Sequence, residues 1–184
     1  MNVVYRGVNN PMTISFAGVP DNKVSASASG LSKGSGVGKY NMNVTTVKGR
    51  EVTINVTATL DDGTKVNDRK TFRIKDIPRP TGTVRGEAGA IKMQRNSLEI
   101  SSIGAMLEDF DFDLQLNVTG FKFKVPGQPT ITVSGNKLNS RAKAALRKAK
   151  RGSSVQIFDI NAKLASNSSY ILKKVSPVFV ELTN

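Results

Sequence analysis

The chain has 184 residues, with 27 Lys and Arg against 14 Asp and Glu, so its formal net charge is +13. It contains no Cys and no His, which excludes thiol nucleophiles, disulfides, imidazole bases and the common zinc sites. With no Trp, three Tyr and eight Phe, the core must be built mainly from Val, Ile, Leu and Ala, and the branched members of that set favour strands.

From Asn2 to Lys75 the pattern predicts short strands at Asn2 to Tyr5, Met12 to Phe16, Val24 to Ser27, Lys39 to Val44, Glu51 to Leu60 and Arg69 to Lys75. Asp61-Asp62-Gly63 is a hairpin signal, because Asp and Gly tolerate the positive φ of tight turns. Gly30 to Gly38 carries four glycines and no period, and is expected to be a loop. Strands at this spacing indicate an immunoglobulin-sized β-sandwich. Ile77-Pro78-Arg79-Pro80-Thr81-Gly82 then breaks the pattern, since two prolines lack amide donors, and it reads as a short stiff linker.

The second half is expected to hold strands near Thr83, Lys92 and Leu98, followed by a turn or short helix at Ile103 to Leu107. Phe110, Phe112, Leu114, Leu116 and Val118 alternate as one buried strand face. Asp109, Asp111 and Asp113 occupy the other face, with Lys122 and Lys124 on the Phe121 to Val125 run as expected partners. One helix is expected from Ser140 to Lys150, capped by Asn139 or Ser140 and closed before Gly152. Leu138, Ala142, Ala145, Leu146 and Ala149 fall on its apolar side, and Lys143, Arg147, Lys150 and Arg151 lie opposite. Strands at Val155 to Ile160, Tyr170 to Lys174 and Val178 to Leu182 close the chain. The fold class is therefore all-β: two tandem immunoglobulin-like β-sandwich domains, 1–78 and 79–184, the second with one short amphipathic helix at about 140–150. Small sandwiches joined by a proline linker suit spanning distance or transmitting force.

Several motifs that suggest chemistry fail on spacing. An Asp109-led calcium loop would need Gly where Leu114 stands and a bidentate Glu where Gly120 stands. Gly34-Ser35-Gly36-Val37-Gly38-Lys39 is followed by Tyr40 and a strand pattern, not by Ser or Thr and a helix, as a phosphate loop requires. Ser140 with Lys143 matches a Ser-x-x-Lys spacing, but a capping role accounts for that Ser. No catalytic residue, metal ligand or cofactor site is expected. The positive charge is spread over both halves, with 12 basic and 6 acidic residues up to residue 80 and 15 and 8 after it. The basic helix has neither base-reading residues nor stacking aromatics beside its charge, so nucleic acid is not the expected partner.

Three blocks in register resemble the GldM/PorM family of the type IX secretion and gliding machinery. Asn2-Val3-Val4-Tyr5-Arg6-Gly7-Val8-Asn9-Asn10-Pro11 resembles the start of the family's penultimate domain. Leu107-Glu108-Asp109-Phe110-Asp111-Phe112-Asp113-Leu114 and Gly152-Ser153-Ser154-Val155-Gln156-Ile157-Phe158-Asp159-Ile160-Asn161-Ala162-Lys163 resemble its last domain. The resemblance spans nearly the whole chain, and the family's membrane helix and upstream helical domain have no counterpart here. It implies a non-enzymatic periplasmic shaft component, forming a homodimer, whose full-length form is anchored in the inner membrane by an N-terminal helix absent from this sequence.

By the same resemblance, the expected partners are a periplasmic ring protein and a lipoprotein beneath the outer membrane. The inner-membrane motor partner is expected to meet the missing N-terminal part. Lys143, Arg147, Lys150 and Arg151 are the expected partner-binding residues in the last domain. The alternative class is an extracellular adhesion module of tandem sandwiches, for which Asn43-Val44-Thr45, Asn55-Val56-Thr57, Asn117-Val118-Thr119 and Asn167-Ser168-Ser169 would be glycosylation acceptors.

Overall fold

A computed structural model of the protein describes residues 2–184 and divides into two compact units, one ending at Ile77 and the other beginning at Pro78. The first unit contains β1 (Val3–Tyr5), β2 (Asn10–Thr13), β3 (Val24–Ser27), β4 (Leu31–Lys33), β5 (Lys39–Met42), β6 (Glu51–Thr59) and β7 (Lys65–Lys75). They form a four-stranded sheet, β1-β7-β6-β3, and a three-stranded sheet, β2-β5-β4. Val4, Tyr40, Met42, Val44, Val52, Ile54 and Ile74 are buried in its core. The Tyr40 hydroxyl, on one sheet, accepts the Ala26 amide of the other at 3.2 Å, so this buried aromatic also finds a partner for its polar end.

The β6–β7 hairpin forms where Asp61-Asp62-Gly63 predicts it. Gly63 takes φ 84° and its amide donates to the Leu60 carbonyl, while the Thr64 amide donates to Asp62 Oδ1 at 2.8 Å. The opening block is built around two polar side chains. Buried Asn10 accepts the Tyr5 amide at 2.8 Å and donates to the carbonyls of Tyr5, Val8 and Met42. Arg6 donates to the carbonyls of Val44, Val47 and Gly49, and its Nε lies 3.6 Å from Asp76 Oδ1. Loop carbonyls such as those of Val8, Val47 and Gly49 are thereby satisfied.

The second unit contains β8 (Thr81–Val84), β9 (Glu87–Ala88), β10 (Ala90–Met93), α1 (Arg95–Ile100), β11 (Ile103–Met106), β12 (Leu116–Lys124), β13 (Ile131–Ser134), α2 (Ser140–Arg147), β14 (Ser154–Leu164) and β15 (Val178–Leu182). A five-stranded sheet has the order β10-β15-β14-β12-β13, and a three-stranded sheet the order β11-β8-β9. β10 and β15 are parallel; the other pairs are antiparallel. Phe121, Phe123, Leu98, Ile103, Leu146, Val155 and Ile157 lie in one core, each large side chain contributing about 1.5–3 kcal/mol by leaving water. The fold is all-β and sandwich-like, with two short helices.

Several elements differ from the sequence expectation. The glycine-rich stretch 30–38 contains strand β4, which pairs with β5 because Leu31 can pack on the core while Gly34 to Gly38 form the turn. The segment around Leu98 is helix α1, not a strand, and Ile103–Met106 is a strand, not a turn or helix. Phe110 to Leu114 keep the expected alternation of shielded and exposed side chains but belong to no strand: Asp109 turns the chain at φ 50°, and the ladder begins only at Leu116. Tyr170 to Lys174 are likewise irregular. The prolines at 78 and 80 precede β8, and Arg79 and Pro80 are tied into the second unit, Arg79 Nε to the Lys174 carbonyl at 2.8 Å and the Pro80 carbonyl to the Ser176 amide at 3.0 Å.

Candidate partner-binding surface

The basic helix begins where Asn139 can cap it. Asn139 Oδ1 accepts the Ala142 amide at 2.9 Å, satisfying one of the free donors of the first turn. Ala142, Ala145 and Leu146 are buried, and Leu138 and Ala149 join them in the core cluster, so small apolar side chains let α2 lie close to the sheet. The helix ends at Arg147, earlier than the expected Lys150. The Lys148 and Ala149 amides bond three residues back, to Ala145 and Leu146. The chain then turns through Gly152 at φ 78°, whose amide is held by the Leu182 carbonyl at 2.7 Å.

This ending splits the four candidate residues into two pairs. Lys143 and Arg147 stand one turn apart on α2, while Lys150 and Arg151 are exposed in the turn leading to β14. Lys143 is half-buried. Arg147 is already engaged: its Nη2 lies 2.8 Å from Glu99 Oε1 at the end of α1. That hydrogen bond, with the charges of Arg147 and Lys143 adding to it against partial desolvation, holds the Glu99 carboxyl below its ordinary range. Arg147 therefore fastens α2 to α1 as well as presenting charge. Sequence reasoning passed over Arg141 and Lys148, which are exposed on the same segment. The sequence signal was present, because residues 141–151 hold six Lys or Arg and no acid.

The acidic run does not meet the lysines expected to partner it. Lys122 Nζ instead lies 2.8 Å from Asp159 Oδ2 on β14, and Lys124 Nζ donates to the Gln128 carbonyl. The reason is the irregular path of residues 107–115, which keeps Asp109, Asp111 and Asp113 off the β12 ladder. Among the described residues, no group of three acidic side chains is arranged to hold a metal ion, and no helix is long and apolar enough to cross a membrane.

The two units, each closing a small core between two sheets, define the class as a tandem β-sandwich protein. The chain belongs to the GldM/PorM family: the family model of the GldM third domain matches residues 1–75, and that of the GldM C-terminal domain matches residues 78–183. It is thus part of a gliding and type IX secretion component, in a family that is structural and not a known enzyme family.

Among solved structures, the fibronectin(III)-like modules of Clostridium thermocellum CbhA are similar at 15% identity and TM-score 0.31, over 99% of this chain and 89% of that one. Protocadherin gamma B2 extracellular cadherin domains 3-6 are similar at 14% identity and TM-score 0.27, over 96% of this chain and 51% of that one. None of the curated proteins compared matches.

Proposed function

We propose that this chain supplies the last two periplasmic domains of a shaft that dimerises and links a proton-driven inner-membrane motor to the ring of lipoprotein and periplasmic protein beneath the outer membrane. Its work is mechanical and passes through protein contacts, with no covalent step. An N-terminal helix preceding these domains anchors the full-length protein and meets the motor. The observation that carries this reading is the match of two successive family domains, in order, to the two compact units.

Within the second unit, Lys143, Lys150 and Arg151 form the electrostatic part of the ring contact, with Arg147 holding α2 in place through Glu99. Charges at an interface rim chiefly accelerate encounter and make it salt-sensitive. Removing both domains from the full-length protein in cells tests the role. The motor subunits should still co-purify with the truncated shaft while secretion and gliding stop. Continued secretion without these domains would defeat the proposal.

A further inference from the structure

β12 and β14 lose register twice in succession. One extra residue on β12 falls between Val118 and Gly120, and one on β14 falls opposite the step from Gly120 to Lys122. Asp159 stands at the second slip with φ 46°, a conformation that non-glycine residues rarely adopt. Bulges bend strands and increase local twist, and they are over-represented at sheet edges and beside active sites, where they re-aim side chains. Here they form the floor of a cleft of about 1100 Å3 within the second unit. The irregular segment 165–177 lines its side. Lys122, Thr132 and Ser134 alternate with buried Phe121 and Val133, so they leave the sheet on the face away from α2.

The cleft combines cationic and apolar groups. Arg79, Lys122, Lys163, Lys173 and Lys174 line it with a single carboxylate, Asp159, already held by Lys122; five cations less one anion leave four positive charges. Ile171 is 91% exposed beside Lys173 and Lys174, and Leu172 and Phe158 are half-buried in the same wall. Ile171, with Leu172 and Phe158 half-buried beside it and lysines around it, suits a partner that brings both an apolar side chain and negative charge. A second copy of this chain does not meet that need, since its net charge is +13 and it would set cation against cation.

We propose that this cleft receives an extended acidic peptide segment of a partner protein, with carboxylates on the Lys and Arg rim and isolated apolar side chains against Ile171, Leu172 and Phe158. The inference stands on the cleft alone, and does not depend on α2 docking to the ring.

The test is an NMR titration of the 15N-labelled 184-residue chain with a capped, glutamate-rich peptide containing isolated valines. Its glutamine counterpart and an oligothymidylate of equal charge serve as comparisons. Amide shifts should cluster at residues 119–122, 158–163 and 171–174, and the glutamine peptide should bind at least about tenfold more weakly. Ile171→Asp with Lys173→Glu and Lys174→Glu should weaken acidic-peptide binding by a similar factor at unchanged melting temperature. Lys163→Glu alone should do so in part, and provides the reading if the triple variant is unstable. Lys143→Glu with Lys150→Glu and Arg151→Glu should leave cleft binding unchanged, which separates this inference from the ring contact. Absence of binding, shifts centred on α2, indifference to the cleft variants, or equal binding of the oligothymidylate would each overturn it.

Discussion

Lys122 on β12 and Asp159 on β14 meet at 2.8 Å at the point where the two strands slip register, and Asp159 is one of three described non-glycine residues with positive φ. The ion pair and the backbone conformation belong to one feature. Asp tolerates the left-handed region better than most residues because its short polar side chain can bond locally. Asp159→Asn should therefore preserve the bulge while removing the charge, with little loss of stability, because an exposed ion pair contributes little. Asp159→Val should lose the ion pair and add backbone strain, costing at least about 1–2 kcal/mol more. Urea unfolding of the two variants measures the difference; equal stability would show that the bulge imposes no strain.

The same pair contributes to acid sensitivity. The hydrogen bond and charge of Lys122, with a smaller part from Lys174, hold the Asp159 carboxyl below its ordinary value; Lys23 acts likewise on Asp61, the Thr64 amide on Asp62, and Arg147 on Glu99. A carboxyl whose pKa is lowered by folding adds stability that is present above its unfolded value and is lost as pH falls through its folded value. Stability at fixed salt should therefore be nearly flat from pH 8 to 5 and fall below about pH 4. Asp159→Asn should make that fall shallower. A loss of stability between pH 8 and 6 would contradict the assignment, since the chain has no His.

Asn10 is 4% exposed and makes four hydrogen bonds to backbone groups of the first unit. Asn10→Ala removes the acceptor that the Tyr5 amide uses and should cost about 1–3 kcal/mol. The block Asn2 to Pro11, through which the family is recognisable, is thus a fold determinant. Calorimetry should show a lower melting temperature for the first unit with little change in the second.

Gly82 and Gly30 each serve a close approach to backbone. A Cβ at Gly82 would lie 2.4 Å from the Ser176 carbonyl oxygen and 2.7 Å from Ile160 Cδ1. One at Gly30, where φ is 83°, would lie 2.2 Å from the Asn43 carbonyl oxygen. Either Gly→Ala change should destabilise its unit by about 1–3 kcal/mol, through overpacking at Gly82 and through both clash and positive φ at Gly30. By contrast Gly127→Ala meets no neighbour and should cost only the strain of its φ of 74°. Similar losses at all three positions would contradict this ranking.

Local sequence signals were sufficient where the responsible contact is local. Asp61-Asp62-Gly63 sets the β6–β7 turn, and the spacing of Ala142, Ala145 and Leu146 sets the buried face of α2. Alternation misled at Phe110 to Leu114, because a two-residue period describes which side chains are shielded and not whether a neighbouring strand completes the ladder. Helix α1 was missed because only Leu98 of its six residues is buried, so no periodic face exists to read. For the candidate surface, the charges of Lys143, Lys150 and Arg151 were legible, but the engagement of Arg147 by Glu99 was not. That ion pair joins residues 48 apart in sequence. The cleft was hidden for the same reason, since Arg79, Lys122, Lys163 and Lys174 come together only when the sheet forms.

We propose that these domains grip the outer-membrane-side ring through protein contacts in which the α2 segment supplies the charge. The most direct measurement is association of the folded chain with the purified ring protein and lipoprotein at about 50 and 200 mM salt. It should include a Lys143→Glu, Lys150→Glu, Arg151→Glu variant that retains Arg147 and so keeps α2 fastened to Glu99. Saturable binding is expected, with an association rate that falls with salt, and the variant should associate about tenfold more slowly at low salt with a dissociation rate nearly unchanged. No binding by the folded chain at low salt would contradict the claim, and an unchanged association rate in the variant would remove α2 from the contact.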